Sequence, residues 1–216
     1  MMRHVPNDKY TIAWFKLAEC IAKGEKEKAF GVYRLLSHSL EDQAYAYQLE
    51  GDLLDAFQDC RASEKYAQAA HVYHHTHRYK EACALYEELI FLLPHDDKHL
   101  VRLLEIYKSS KSPQSLPDKL SKLAYNLLEK KMVMRAFAVA QELKTCADVQ
   151  AVVPVYTAII VASLQSQLAE IETIVCVALD YLLEQNDQRM QSLFLTTLEQ
   201  MSSEWYARAL NYLQKT

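Results

Sequence analysis

Glycine is scarce in this chain: Gly24, Gly31 and Gly51 are the only three in 216 residues, and 5 prolines accompany them. An all-β fold of this length needs a turn roughly every 8 to 12 residues, each with its own Gly, Pro or Asn signal. Too few are present, so the expected fold class is all-α. The three glycines are also wrongly spaced for a phosphate-cradling GxxxxGKS or GxGxxG loop, which disfavours nucleotide-driven chemistry. At 50% hydrophobic and 24% charged residues, the chain is not disordered and can bury a core without disulfides or metals.

Charge narrows the partners. The net charge is −4, without the basic excess of a nucleic-acid binder, so no nucleic-acid partner is expected. The charge is uneven. Residues 1–97 carry 11 basic and 16 acidic side chains, 98–144 carry 10 and 4, and 149–216 carry 3 and 7. Cys20, Cys60, Cys83, Cys146 and Cys176 contain no CxxC pair and read as reduced thiols. The start, Met1 to Asp8, has no apolar core of a signal peptide. The longest apolar run, Ala151 to Leu164, is 14 residues with Pro154 inside, too short to span a bilayer. A cytoplasmic protein with no membrane insertion is expected.

A 3.6-residue apolar period marks twelve helical segments, over roughly 9–23, 25–38, 41–57, 61–76, 79–93, 97–109, 117–131, 133–144, 152–164, 167–184, 188–200 and 203–214. Breaks fall at Gly24, Pro94, Asn186-Asp187 and Ser202-Ser203, and the Ser- and Pro-rich stretch Ser109 to Leu116 reads as a bend between two halves.

These segments repeat. Tyr66-x2-Ala69-Ala70-x2-Tyr73 followed by Tyr79-x2-Ala82-x3-Tyr86-x2-Leu89-x4-Pro94 fills a unit from Ser63 to Asp96. Trp14-x2-Leu17-Ala18-x2-Ile21-x2-Gly24-x4-Ala29-x3-Tyr33-x2-Leu36 is a second copy, and Leu120-x2-Leu123-Ala124-x2-Leu127 with Ala136-x3-Ala140-x2-Leu143 a third. Tyr47-x3-Gly51-x2-Leu54 with Ala62-x3-Tyr66-x2-Ala69 partly fills the gap. The pattern resembles the tetratricopeptide repeat (TPR) over residues 11–144. The resemblance implies a right-handed α-α superhelix of antiparallel helix pairs, with repeats over 1–148 and divergent repeats or capping helices over 149–216. Small residues such as Ala18, Ala70, Ala82 and Ala124 then let backbones approach, and Tyr33, Tyr66, Tyr73, Tyr79 and Tyr86 fill the space between units. Tyr66 and Ala69 serve two overlapping units, so the segment 61–76 reads equally as a first or a second helix. The last segment sets Trp205, Tyr206, Ala209, Leu210 and Leu213 against Glu204, Arg208, Asn211 and Lys215, the pattern of a solubilising cap.

Several side chains are candidates for chemistry. His71 and His75 lie one helical turn apart within His71-Val72-Tyr73-His74-His75-Thr76-His77, but a metal site needs further ligands, for which Cys60, Asp59 and Asp55 are the nearest choices. The plainer reading has the histidines capping helix carbonyls, and no metal or cofactor is expected. TPR proteins that grip a chaperone's C-terminal carboxylate carry Lys and Asn at two inward offsets of the first helix. Here those offsets hold Phe15 and Glu19 in the first unit, Gln48 and Asp52 in the second, which suits a basic or amphipathic segment better. Tyr10, Tyr45, Tyr47 and Tyr125 are not taken up by the repeat and are free to offer contact area.

No Ser/His/Asp or Cys/His arrangement presents itself, so catalysis is not expected. The expected function is a non-catalytic scaffold, as adaptor, assembly factor or chaperone, that holds a protein or peptide on its concave face through Phe15, Glu19, Gln48, Asp52, His71, His75 and Tyr125. Two alternatives stand beside it. One is similarity to the vesicle-fusion attachment proteins, through Glu64-Lys65-Tyr66 and Tyr86-Glu87-Glu88; the other is a His-rich metal-binding or pH-sensing protein. A homo-oligomer through the C-terminal third is left open.

Overall fold

The computed structural model describes residues 8–109 and 116–215, with side chains from residue 11 onward. The candidate bend at 110–115, the first seven residues and the side chain of Tyr10 lie outside the described residues. Twelve α-helices and no strand are formed among those described: α1 (Asp8–Ala22), α2 (Lys26–Ser37), α3 (Gln43–Ala56), α4 (Ala62–His75), α5 (Tyr79–Leu92), α6 (Lys98–Ser109), α7 (Leu116–Glu129), α8 (Val133–Leu143), α9 (Val149–Gln165), α10 (Ile171–Gln185), α11 (Gln188–Met201) and α12 (Ser203–Leu213). The apolar period thus located every helix.

Local chemistry explains the helix ends. The carboxylates of Asp42, Asp148 and Asp187 accept from the backbone N–H of Tyr45, Ala151 and Met190 at the starts of α3, α9 and α11, and the Ser202 hydroxyl accepts from Trp205 N–H at α12. Each satisfies one of the donors a helix start leaves unpaired. The cap on Asp148 starts α9 three residues ahead of the expected 152. Pro154 sits at an exposed position in its second turn.

At the other ends one turn recurs. After α1, α3, α4, α7 and α9 the chain passes through a left-handed residue, at Gly24 (φ 71°), Gln58 (53°), His77 (60°), Lys131 (61°) and Gln167 (51°). The next N–H then bonds back to a carbonyl five residues earlier, as Glu25 to Cys20 and Met132 to Leu127, both at 2.9 Å. This double back-bond satisfies the last carbonyls and reverses the chain at once. Gln167 ends α9 this way, which is why α10 begins at Ile171 and not at 167.

The chain divides into two compact units at Ile106–Tyr107, within α6. In the first, α1 packs on α2, α3 and α4 lie along one another, and α4 also packs on α5. Leu17, Cys20, Val32, Tyr33 and Leu36 form one core, to which α3 contributes Leu53. The helix whose pairing the sequence left open therefore shares faces with both neighbours. Its closest approach is to α3: a Cβ added to Gly51 would stand 2.6 Å from Tyr66 Cδ1, so the ring lies directly against the α3 backbone. In the second unit α7/α8, α9/α10 and α11/α12 are three helix pairs. Helix α9 also packs on α7, α8 and α11, and α10 on α11 and α12.

Three expectations need correction. Ala70, Ala82 and Ala124 are fully buried, but Ala18 is exposed, because α1 turns Leu17 and Cys20 toward α2 instead. Tyr33, Tyr66, Tyr73 and Tyr86 are buried, whereas Tyr79, the first residue of α5, is 43% exposed. The histidines do not cap α4: the Thr76 hydroxyl and the N–H groups of His77 and Arg78 hold the carbonyls of Val72, His74 and Tyr73. The final helix matches its expected pattern, with Ala209 buried, Trp205, Tyr206, Leu210 and Leu213 half-buried, and Glu204, Arg208, Asn211 and Lys215 exposed.

Candidate functional site

Helix α3 is a strip of acceptors that organises the first unit. The Tyr73 hydroxyl donates to Gln48 Oε1 at 2.9 Å, and the Tyr66 hydroxyl to Asp52 Oδ1 at 2.9 Å. From the other side the Tyr33 hydroxyl donates to the Ala46 carbonyl at 3.0 Å, with Glu50 at 3.4 Å. Burial lifts the pKa of Tyr33 and Tyr66 far above the usual phenol value, and their carboxylate partners push it further. These phenols therefore stay neutral donors. Asp52 keeps solvent contact, but atoms crowding its carboxylate raise its pKa; the Tyr66 bond opposes this and the charge of Asp55 reinforces it.

Charged clamps flank the strip. Arg78 bonds Asp42, the cap of α3, and Glu81 at 3.0 Å, while its guanidinium lies 4.3 Å from the Tyr73 ring centroid. Lys65 meets Glu50 at 3.1 Å. Asp59 accepts from Arg61 at 2.7 Å and from Lys26 at 2.8 Å, joining the first pair of helices to the second; Arg61, then Lys26, hold its carboxyl well below the usual range.

The residues chosen from sequence are distributed as follows. Gln48 and Asp52 are brought together on α3, but their outward atoms already accept tyrosine hydroxyls. Phe15 and Glu19 share one face of α1. Phe15 is 74% exposed, and Glu19 is paired with Lys23 at 2.5 Å, whose hydrogen bond and charge lower its pKa. Tyr125, on α7 in the other unit, is 41% exposed. Ile12, one turn before Phe15 and 69% exposed, was missed. Its i, i+3 spacing to Phe15 was legible, but apolar spacing alone assigns Ile12 to the core. Leu35 and Leu193 are exposed for the same unforeseen reason.

His71 and His75 stack on α4 with Nε2 atoms 3.0 Å apart. Neither Cys60 nor Asp59 joins them: among the described residues no three His, Cys, Asp or Glu side chains converge to hold a metal ion. His77 Nδ1 lies 2.8 Å from the Tyr79 hydroxyl. His74 is half-buried, its pKa lowered by burial first, then by coupling to His75 and by the charge of Arg102.

In the second unit a polar recess of about 370 Å³ opens beside α11 and α12, with Gln191, Thr196, Glu199 and Tyr206 in its wall. On α9 the buried Tyr156 hydroxyl has no hydrogen-bond partner among the described residues, and burial, then Tyr181, push its pKa up to about 12. No helix of the described residues is long and apolar enough to cross a membrane.

Comparison with protein-family models, with curated proteins and with solved structures returns no match.

Proposed function

We propose that this chain is a non-catalytic scaffold built as a TPR-like right-handed solenoid, and that it holds a segment of another protein as an adaptor, assembly factor or chaperone would. The observation that carries the reading is the bare apolar face of α1, where Ile12 and Phe15 are 69% and 74% exposed one turn apart. An aromatic and a β-branched side chain held on a rigid helix offer anchor area at low entropic cost. Glu19 on the same face, with Asp52 and Asp55 exposed on α3, favours a partner segment that is amphipathic and basic. The partner engages α1 first, since Gln48 and Asp52 are partly committed to Tyr73 and Tyr66. Tyr125 is a separate contact on the second unit.

A photocrosslinking residue placed at position 15 tests this. It should trap a protein that the Ile12→Ala/Phe15→Ala variant no longer retains, and Glu19→Lys should weaken retention further. The helical melting curves of these variants should match the parent, because all three side chains are exposed. Equal capture by the double alanine variant would remove α1 as the binding face.

A further inference from the structure

The histidines at the end of α4, expected from the sequence among the partner contacts, lie outside the α1 face that carries the scaffold reading. His71 and His75 are both exposed, and side chains four residues apart on a helix stand over one another. Their ring centroids are 4.2 Å apart and their Nε2 atoms 3.0 Å apart. In the free protein that distance is a hydrogen bond, one neutral ring donating its N–H and the other accepting. The same distance is the bite of a chelate. With metal–imidazole bonds of about 2.0–2.1 Å, two nitrogens 3.0 Å apart subtend about 90–100° at the ion. That is the cis angle of a square-planar or octahedral centre and falls short of the tetrahedral one. Imidazoles set at such an angle suit Cu²⁺ and Ni²⁺, and Cu²⁺ heads the affinity order of the divalent first-row ions.

The surroundings leave both rings available. The α4 carbonyls are already held by Thr76, His77 and Arg78, so neither imidazole is needed as a cap. His77 is engaged with Tyr79. Arg102, whose charge bears on the neighbouring His74, is paired with Glu105 at 2.8 Å. A cation at the C-terminal end of a helix is also favoured by the aligned peptide dipoles.

We propose that His71 and His75 form a solvent-open, two-imidazole chelate for a divalent late transition ion, Cu²⁺ foremost, with water filling the rest of the coordination shell. Binding requires the Nε2 lone pair of both rings. The ring that donates in the free protein therefore moves its proton to Nδ1 through solvent, with no net release.

The experiment is calorimetric titration of the full chain with Cu²⁺ against a glycine competitor, in a His4→Asn background that removes the histidine nearest the amino terminus. Electron paramagnetic resonance at one equivalent accompanies it. One Cu²⁺ per chain is expected, with hyperfine structure from two equatorial nitrogens. His71→Asn and His75→Asn should each weaken binding about a hundredfold, the loss expected when a two-point contact becomes one-point, and leave a one-nitrogen signal. His77→Asn should stay within about twofold of the parent. Circular dichroism should show all three variants folded, since each changed side chain is exposed. Unchanged affinity in either of the first two variants, or an equal loss in His77→Asn, overturns the proposal.

Discussion

Replacing glycine by alanine at two helical positions of the first unit should move stability in opposite directions. At Gly51 the new Cβ would meet Tyr66 Cδ1 at 2.6 Å, Cε1 at 2.7 Å and Cγ at 3.2 Å. Carbon atoms in good contact sit about 3.5–4.0 Å apart, so the ring has to retreat by about 1 Å. It is pinned: Tyr66 is 6% exposed, and its hydroxyl bonds Asp52 at 2.9 Å. Overpacking of this kind costs about 1–3 kcal/mol, and a lost hydrogen bond about 0.5–1.5 kcal/mol. Alanine recovers about 1 kcal/mol of helix propensity. The net is a destabilisation of about 1–3 kcal/mol. At Gly31 the same Cβ meets nothing within 4 Å, so only the propensity gain remains and Gly31→Ala should stabilise by about 0.5–1 kcal/mol. Urea unfolding followed by Trp14 fluorescence, in a Trp205→Phe background, reports the first unit. Adding Tyr66→Leu should cancel most of the Gly51→Ala penalty, as contacting sites couple. If both alanines shift the midpoint the same way, or Tyr66→Leu leaves the penalty intact, the α3–α4 crossing is not as described.

Two further outcomes follow from the turns and the charges. Lys131 and Gln167 are exposed residues held at φ 61° and 51°, so Lys131→Gly and Gln167→Gly should each stabilise by about 1 kcal/mol, whereas Gly24→Ala, at φ 71°, should cost a similar amount in thermal unfolding. Asp59 has its pKa depressed below the ordinary 3.8 by Arg61 and Lys26, so its contribution is complete above that value and fades as pH falls through the lower folded value. Asp59→Asn should therefore be less stable than the parent at neutral pH, and the gap should narrow in urea titrations carried into strong acid.

Much of this protein is local and was legible without coordinates. Each helix carries its own 3.6-residue apolar stripe, and segments such as Leu120-Leu123-Ala124-Leu127 are buried as their spacing demands. Asp187 and Ser202 announced helix starts because an N-cap bond spans only three residues. The exposed candidates Phe15 and Tyr125 could be named from the repeat pattern. Their freedom from the core could not, since an apolar residue on a stripe looks the same whether or not another helix covers it.

What the amino-acid order determined by itself was therefore the set of rods, most of their ends and most of the faces they must hide, because those depend on residues within a turn or two. The tertiary structure alone decided the rest. It placed α4 against both neighbours, laid the Tyr66 ring on Gly51, gave Gln48 and Asp52 to tyrosine hydroxyls, left Ala18 and Ile12 in solvent, and forced Gln58, His77, Lys131 and Gln167 into left-handed turns that ordinarily call for glycine. These outcomes depend on shape and polarity matching between segments distant in sequence, and the gain from closing each helix pair outweighs a local preference of about 1 kcal/mol at a turn.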